Sequence, residues 1–219
     1  MSRPERAPEL ATPAGSAPGL AVLIAAERRE LADLLAGLPP EAWEQPSLCA
    51  GWRVRDVVAH ITMPFRYSTP RFAFELARSR GNFTAMADRC ARRDAAAPAA
   101  ELTAGLRDNA EYPWRPPGGG LAGALTHDVI HGLDITVALG IDRTIPASRM
   151  SVVLDSVTTA ASLKHFGTSL AGVSLRADDL DWSAGSGRPV TGTARDLALA
   201  VAGRRLPPGR LTGADSLAR

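Results

Sequence analysis

The chemistry in this 219-residue chain concentrates in its histidines, of which there are only four. Two of them, His127 and His131, stand four positions apart in Thr126-His127-Asp128-Val129-Ile130-His131-Gly132-Leu133-Asp134. On a helix, one turn separates them and both rings project from one face. A metal ion that takes two imidazoles from one rigid element needs this spacing. Upstream, His60 follows the apolar positions Val54, Val57 and Val58, and so borders the apolar face of another helix. His165, the fourth, reads as a surface residue near the end of a later helix. The pair also resembles the zinc-protease motif with aspartate in place of glutamate. Aspartate is one methylene shorter than the usual general base, and no ligand of the required spacing follows, so that reading is discounted. Asp128 then reads as a helix-surface residue or as the partner of a ligand. Asp134, three residues beyond His131, could orient its ring.

The elements that must position these residues follow from hydrophobic periodicity. Leu20, Leu23, Ile24, Glu27, Leu31, Leu34, Leu35 and Leu38 predict a helix over 20–38 with charges on its opposite face, stopped by Pro39 and Pro40. Further helices are expected over 54–63, 70–79, 101–111 and 121–139, with a looser stretch between 79 and 95. Pro113 to Gly120 is a loop just before the histidine helix, placed to line a pocket mouth. Gly132 costs about 1 kcal/mol relative to alanine inside a helix, a cost that close approach of another helix would explain. A long helix over 148–166 follows. Val173–Ala177 then alternates as a strand, and Asp179–Ser183 does so weakly. Gly185-Ser186-Gly187 makes a turn, 189–192 a short strand, and Thr193 the N-cap of a last helix. The expected organisation is a disordered Pro/Ala-rich tail (1–18), a helical bundle (19–146) and a small α+β C-terminal domain (147–219), mainly α overall. In an antiparallel bundle the apolar faces converge, and unpaired imidazoles there are costly. A divalent cation among His60, His127 and His131 would resolve that cost. Three protein ligands also leave one position open to water or substrate.

Composition sets the remaining bounds. Hydrophobic residues make up 45% and charged residues 22%, ordinary for a globular protein, and the net charge of +2 gives no footprint for nucleic acid or an anionic membrane. Cys49 and Cys90 make no disulfide framework, and no signal-peptide pattern or long apolar span is present, so a cytoplasmic protein with free thiols is expected.

Two stretches resemble a known family. Pro46-Ser47-Leu48-Cys49-Ala50-Gly51-Trp52-Arg53-Val54-Arg55-Asp56-Val57-Val58-Ala59-His60 resembles the first signature of the mycothiol-dependent maleylpyruvate isomerases, within the wider DinB-like superfamily. Thr126 to Ile135 resembles the second, and Val190 to Leu199 with Gly203-Arg204 resembles the family's C-terminal domain. The resemblance implies a DinB-like four-helix bundle with a divalent metal, usually zinc, at one end. By motif its ligands are His60, His127 and His131. It also implies mycothiol as cofactor, with its thiolate at the open metal position and a small electrophilic substrate undergoing isomerisation or S-transfer. Arg204 is the candidate for a catalytic role on a carboxylate, and Arg115 and Arg195 for cofactor binding. The isomerase itself has glutamate where this chain has His127, which makes the ligand set one charge more positive. Lys164 is the sole lysine among 25 basic residues, and this arginine bias is compatible with an actinobacterial source. The chain is expected to act as a monomer or homodimer. Two other readings stay open: a lyase or hydrolase on the same scaffold that uses the metal as Lewis acid without thiol, and a non-catalytic metal-binding stress-response protein.

Overall fold

In the computed structural model residues 19–216 are described, and the tail expected over 1–18 lies outside them. Helix α1 (Leu20–Ala36) ends at Gly37, and a 3-10 turn (Pro40–Glu44) leads through an irregular loop to α2 (Val54–Arg66). The Asp56 carboxylate accepts from the Arg53 backbone N–H at 2.8 Å, fixing the start of α2 nearly two turns ahead of His60. Next come α3 (Thr69–Arg78), α4 (Phe83–Asp94), α5 (Ala99–Asp108) and α6 (Gly120–Ala138), the helix that carries the histidine pair. Helix α1 packs on α5 and α6, and α2 packs on the same two, closing a four-helix bundle. Helices α3 and α4 form an outer hairpin against α2.

Three expectations need correction. The stretch expected to be loose after Ser79 is helix α4, capped by Asn82, whose side chain accepts from Ala85 N at 3.0 Å. Its buried stripe is Met86, Ala87, Cys90 and Ala91, mostly small residues that give little periodic signal. The single helix expected over 148–166 is two, α7 (Ala147–Val157) and α8 (Ala160–Phe166), because Thr159 turns extended and caps the second one. The weak alternation at 179–183 is not a strand. The strands are β1 (Val173–Ala177), β2 (Ser183–Gly185), β3 (Arg188–Gly192) and the unanticipated β4 (Leu211–Thr212). They form one sheet in the order β2-β1-β3-β4, with β1 and β3 parallel and the outer pairs antiparallel. As expected, Thr193 caps the last helix, α9 (Ala194–Val201).

Helix α6 is the central element. On one side Ile135 joins Leu31, Leu35, Val57, Ile61, Leu102 and Leu106 in the bundle core. On the other, Leu125, Val129 and Leu133 share a core with Val153 and Leu154 of α7, Leu197 of α9 and Leu175 of β1. The C-terminal elements are thus packed directly on the histidine helix. No described helix is long and apolar enough to cross a membrane.

Burial extends to charges. Glu27, on the apolar stripe of α1, is fully buried; its carboxylate meets Arg149 Nη1 at 2.9 Å and lies 2.9 Å from Arg143 Nη2. Gly132 is explained here. A Cβ on it would come within 2.6 Å of Arg143 Nη1 and 3.5 Å of Leu31 Cδ2, so the close approach is made by α1 together with the arginine that α1 holds. Removing Glu27 leaves two guanidinium groups buried without it. Glu27→Ala is therefore expected to cost about 3–5 kcal/mol in urea unfolding. A cost below about 1 kcal/mol would show that this pair does not join the bundle to the segment after α6.

Candidate metal centre

His60 from α2 and His127 and His131 from α6 meet between these helices. Their ring centroids are 4.8 to 5.1 Å apart, and one nitrogen from each lies within 4.8 Å of the others. His127 Nε2 is 3.2 Å from His60 Nε2. Nitrogens around a four-coordinate zinc, with bonds of about 2.0–2.1 Å, are separated by about 3.3 Å. Helical spacing brings the two α6 rings together, and packing of α2 on α6 adds the third.

The outer nitrogens of the α6 pair are held by carboxylates. Asp128 Oδ1 lies 2.9 Å from His127 Nδ1, and its other oxygen accepts from Arg28 Nε at 2.7 Å. Asp134 Oδ2 lies 2.9 Å from His131 Nδ1, and Asp134 accepts from Arg204 Nε at 2.8 Å and Nη2 at 2.7 Å. An ionised carboxylate only accepts, so each ring carries its proton on Nδ1 and turns a bare Nε2 inward. His60 is held differently. Its Nδ1 is buried without a hydrogen-bond partner, and its ring is fixed by packing against Trp52, His127 and His131. Burial, then the neighbouring His131 and His127, pulls its pKa well below the usual histidine range. Burial also pulls His131 down to about 4, against the hydrogen bond to Asp134. Asp134 is itself pushed up by burial, but hydrogen bonds from Arg204 and His131 outweigh this and hold it below the ordinary carboxylate range. Neutral imidazoles with free Nε2 lone pairs are the form a divalent cation requires, so the donor set fits such an ion.

Asp128 is 1% exposed, so it is not the helix-surface residue it could have been; its carboxylate lies against His127. Arg28, expected among the outward charges of α1, is fully buried. Beyond Asp128 it donates from Nη1 to the carbonyls of Ala110 at 3.2 Å and Tyr112 at 2.8 Å. It thereby anchors the loop that leads to Trp114, whose ring packs on His127 at 4.9 Å. Trp52 packs on His60 at 5.1 Å and stacks on His131 at 6.5 Å, so two indoles flank the histidines. The loop carrying Trp52 is tied to α6 by Leu48 N–H donating to the Asp134 carbonyl at 3.0 Å, and Gly51 turns it with a φ of 77°. Cys49 in this loop donates its S–H to Asp134 Oδ2 at 2.9 Å. Burial, followed by the Asp134 charge, raises its pKa. Both cysteines are free.

The remaining candidates separate. Arg204 reaches the centre through Asp134. Arg115 is exposed on the 113–117 loop. Arg195 pairs at 3.5 Å with Asp142 and at 3.6 Å with Asp196, neither of which touches the histidines. His165 is exposed, as expected. Arg28, Cys49, Trp52 and Trp114 escape a reading of motif spacing. The tryptophans' nearness to Gly51 and to the Pro/Gly loop is the signal that could have found them.

Residues 24–112 match the family model of the mycothiol maleylpyruvate isomerase N-terminal domain. The matched stretch is less than half of the chain, and what it shows is similarity to that domain. It spans most of α1 and all of α2 to α5, with His60, and ends before α6. His127 and His131 lie outside the matched region and join His60 on geometry alone. No curated protein and no solved structure matches the chain.

Two outcomes follow. In nitrogen-15 spectra of metal-free protein at pH 7, His127 and His131 should both be Nδ1–H tautomers, and Asp134→Ala should abolish that preference at His131 alone. Finding Nε2–H forms in the parent chain would contradict the carboxylate assignment. Stability should also depend on pH. The unfolded histidines take up protons near 6.5 while folded His131 resists until about 4, so stability is full above 6.5 and falls as pH drops from 6.5 toward 4. The loss at His131 alone is roughly 3 kcal/mol. Urea titrations with chelator at pH 7 and pH 5 should differ by about 2 kcal/mol of that loss, and equal stability at the two would refute it.

Proposed function

We propose that the chain is a metal-dependent thiol enzyme of the mycothiol-related family, in which His60, His127 and His131 hold a divalent ion, zinc by preference. The observation that carries the reading is the convergence of the three imidazoles, with the outer nitrogens of two fixed by Asp128 and Asp134. Three neutral nitrogen ligands leave one position open, the catalytic rather than the closed structural arrangement. They also leave the ion's charge uncompensated, since Arg28 and Arg204 already balance the two carboxylates. Bound there, the metal would lower the pKa of a small thiol and keep it as the thiolate.

The chain supplies the rest. Its own nearby thiol is an unsuitable nucleophile, because Cys49 keeps its proton: burial and the Asp134 charge raise its pKa, and its S–H donates a hydrogen bond to Asp134. The nucleophile thus comes from outside, and the family supports mycothiol, adding to a small electrophile in isomerisation or S-transfer. Trp52 and Trp114 flank the histidines with apolar rings that limit water. Asp134 holds the His131 ring and, through Arg204, ties the centre to the residues after α9. Arg204 is in position to meet a carboxylate on the substrate. Arg115 and Arg195 remain candidates for the cofactor only at its periphery. We take the bundle (19–146) as the metal-holding part and the C-terminal module as the part that selects substrate.

Cobalt substitution tests this reading. One ion per chain should bind with the strong visible absorption of a four-coordinate site, and mycothiol should add a sulfur-to-cobalt charge-transfer band. Asp134→Ala should weaken binding of the ion by about 10–100-fold. An unchanged spectrum on adding mycothiol would remove the thiol and leave the metal. Absence of cobalt binding would remove both.

A further inference from the structure

Beyond the histidine centre, the residues after α9, together with Thr168, Leu170 and the end of α9, line a half-open cavity of about 500 Å3. Small-molecule sites typically measure about 300–1,000 Å3. Its lining is of two kinds. Leu170, Val201, Leu206 and Leu211 supply apolar surface, and Arg204, Arg205 and Arg210 supply charge. No acidic side chain among the described residues lines it. Arg210 donates to Asp196 at 2.8 Å and Arg204 to Asp134 at 2.7 Å, and both carboxylates are buried, outside the lining. Arg205 is exposed and has no ion-pair partner among the described residues. Counted over the described residues, the lining thus holds one arginine, Arg205, without a paired carboxylate. Its rim is Pro207-Pro208-Gly209, where two fixed φ angles and a glycine at φ 83° hold a turn with little freedom to collapse.

We infer that this cavity is a binding site for a small organic acid, a monocarboxylate with an apolar body. The carboxylate meets Arg205, with Arg204 and Arg210 on either side, and the body lies against the leucines. One arginine without a paired carboxylate matches a monoanion, and the apolar lining suits a carbon skeleton better than a phosphate dianion, which favours several free donors. Arg204 belongs to this cavity and to the Asp134 pair at once, so an acid bound here sits one side chain from the group that orients His131.

The site needs no metal, so it is tested on the full chain after chelator treatment, and its failure leaves the metal reading untouched. Benzoate is titrated while the methyl signals of Leu206 and Leu211 are followed by NMR, with benzamide as the neutral isostere. Benzoate should shift these methyls saturably and benzamide should not at the same concentrations. Arg205→Ala, at an exposed position, should weaken benzoate about tenfold, while Arg188→Ala, an exposed arginine on β3, should leave it unchanged. Equal response to benzamide, unaltered binding by Arg205→Ala, or benzoate that leaves both leucines unshifted would each overturn the inference.

Discussion

The histidine centre depends on two buried ion pairs, Arg28–Asp128 and Arg204–Asp134. A carboxylate beside a histidine helps a metal site only if it stays ionised in a low-dielectric interior, and a lone buried carboxylate would take up a proton instead. Arg204 prevents that at Asp134, and each arginine fixes the direction of the acceptor oxygen beside it. The two pairs come from opposite ends of the chain. Arg28 belongs to the first helix, whereas Arg204 follows the last one. The centre is therefore complete only when both ends of the chain have packed against α6, which explains why α6 is buried on both sides and why charged residues are accepted in its core.

How much of this can be read beforehand varies with the kind of signal. Bundle helices α1, α2, α5 and α6 are legible because large aliphatic residues recur at helical spacing, and the motif residues mark the helices that bear the site. The breaks and small elements are not. Nothing apolar interrupts Val157 to Leu163, so the kink at Thr158–Thr159 rests on one hydroxyl cap that competes weakly with a continuous pattern. Helix α4 is hidden by alanines, and β4 is only two residues long. For the site, identity and spacing nominate the three histidines and Asp134 as an orienting group. They cannot nominate Arg28. Its burial is set by partners 81 to 100 positions away in sequence, which no local period encodes.

Cys49 shows how position overrides residue type. A thiol beside a cluster of histidines and an arginine invites reading as a nucleophile, and Arg204 Nη2 at 3.6 Å would favour a thiolate. Asp134 is nearer and already holds that arginine, so the local field opposes ionisation and the sulfur acts as a donor. Asp134 thus collects hydrogen bonds from His131, Arg204 and Cys49, and one backbone bond from its own carbonyl secures the Cys49 loop. A single residue fixes both the ring of a candidate ligand and the segment that carries Trp52.

The same reasoning bears on His127, the position where the resemblance to the isomerases leads one to expect glutamate. A glutamate ligand would bring its own negative charge and would have no ring proton to hand to a neighbour. Here the adjacent Asp128 accepts that proton, and Arg28 neutralises Asp128 in turn. The substitution is therefore embedded in its surroundings rather than isolated, since the chain carries the acceptor a histidine needs and the counter-charge that acceptor needs. The result is a cluster of three imidazoles in which the carboxylate beside each ring of the α6 pair is itself paired with an arginine.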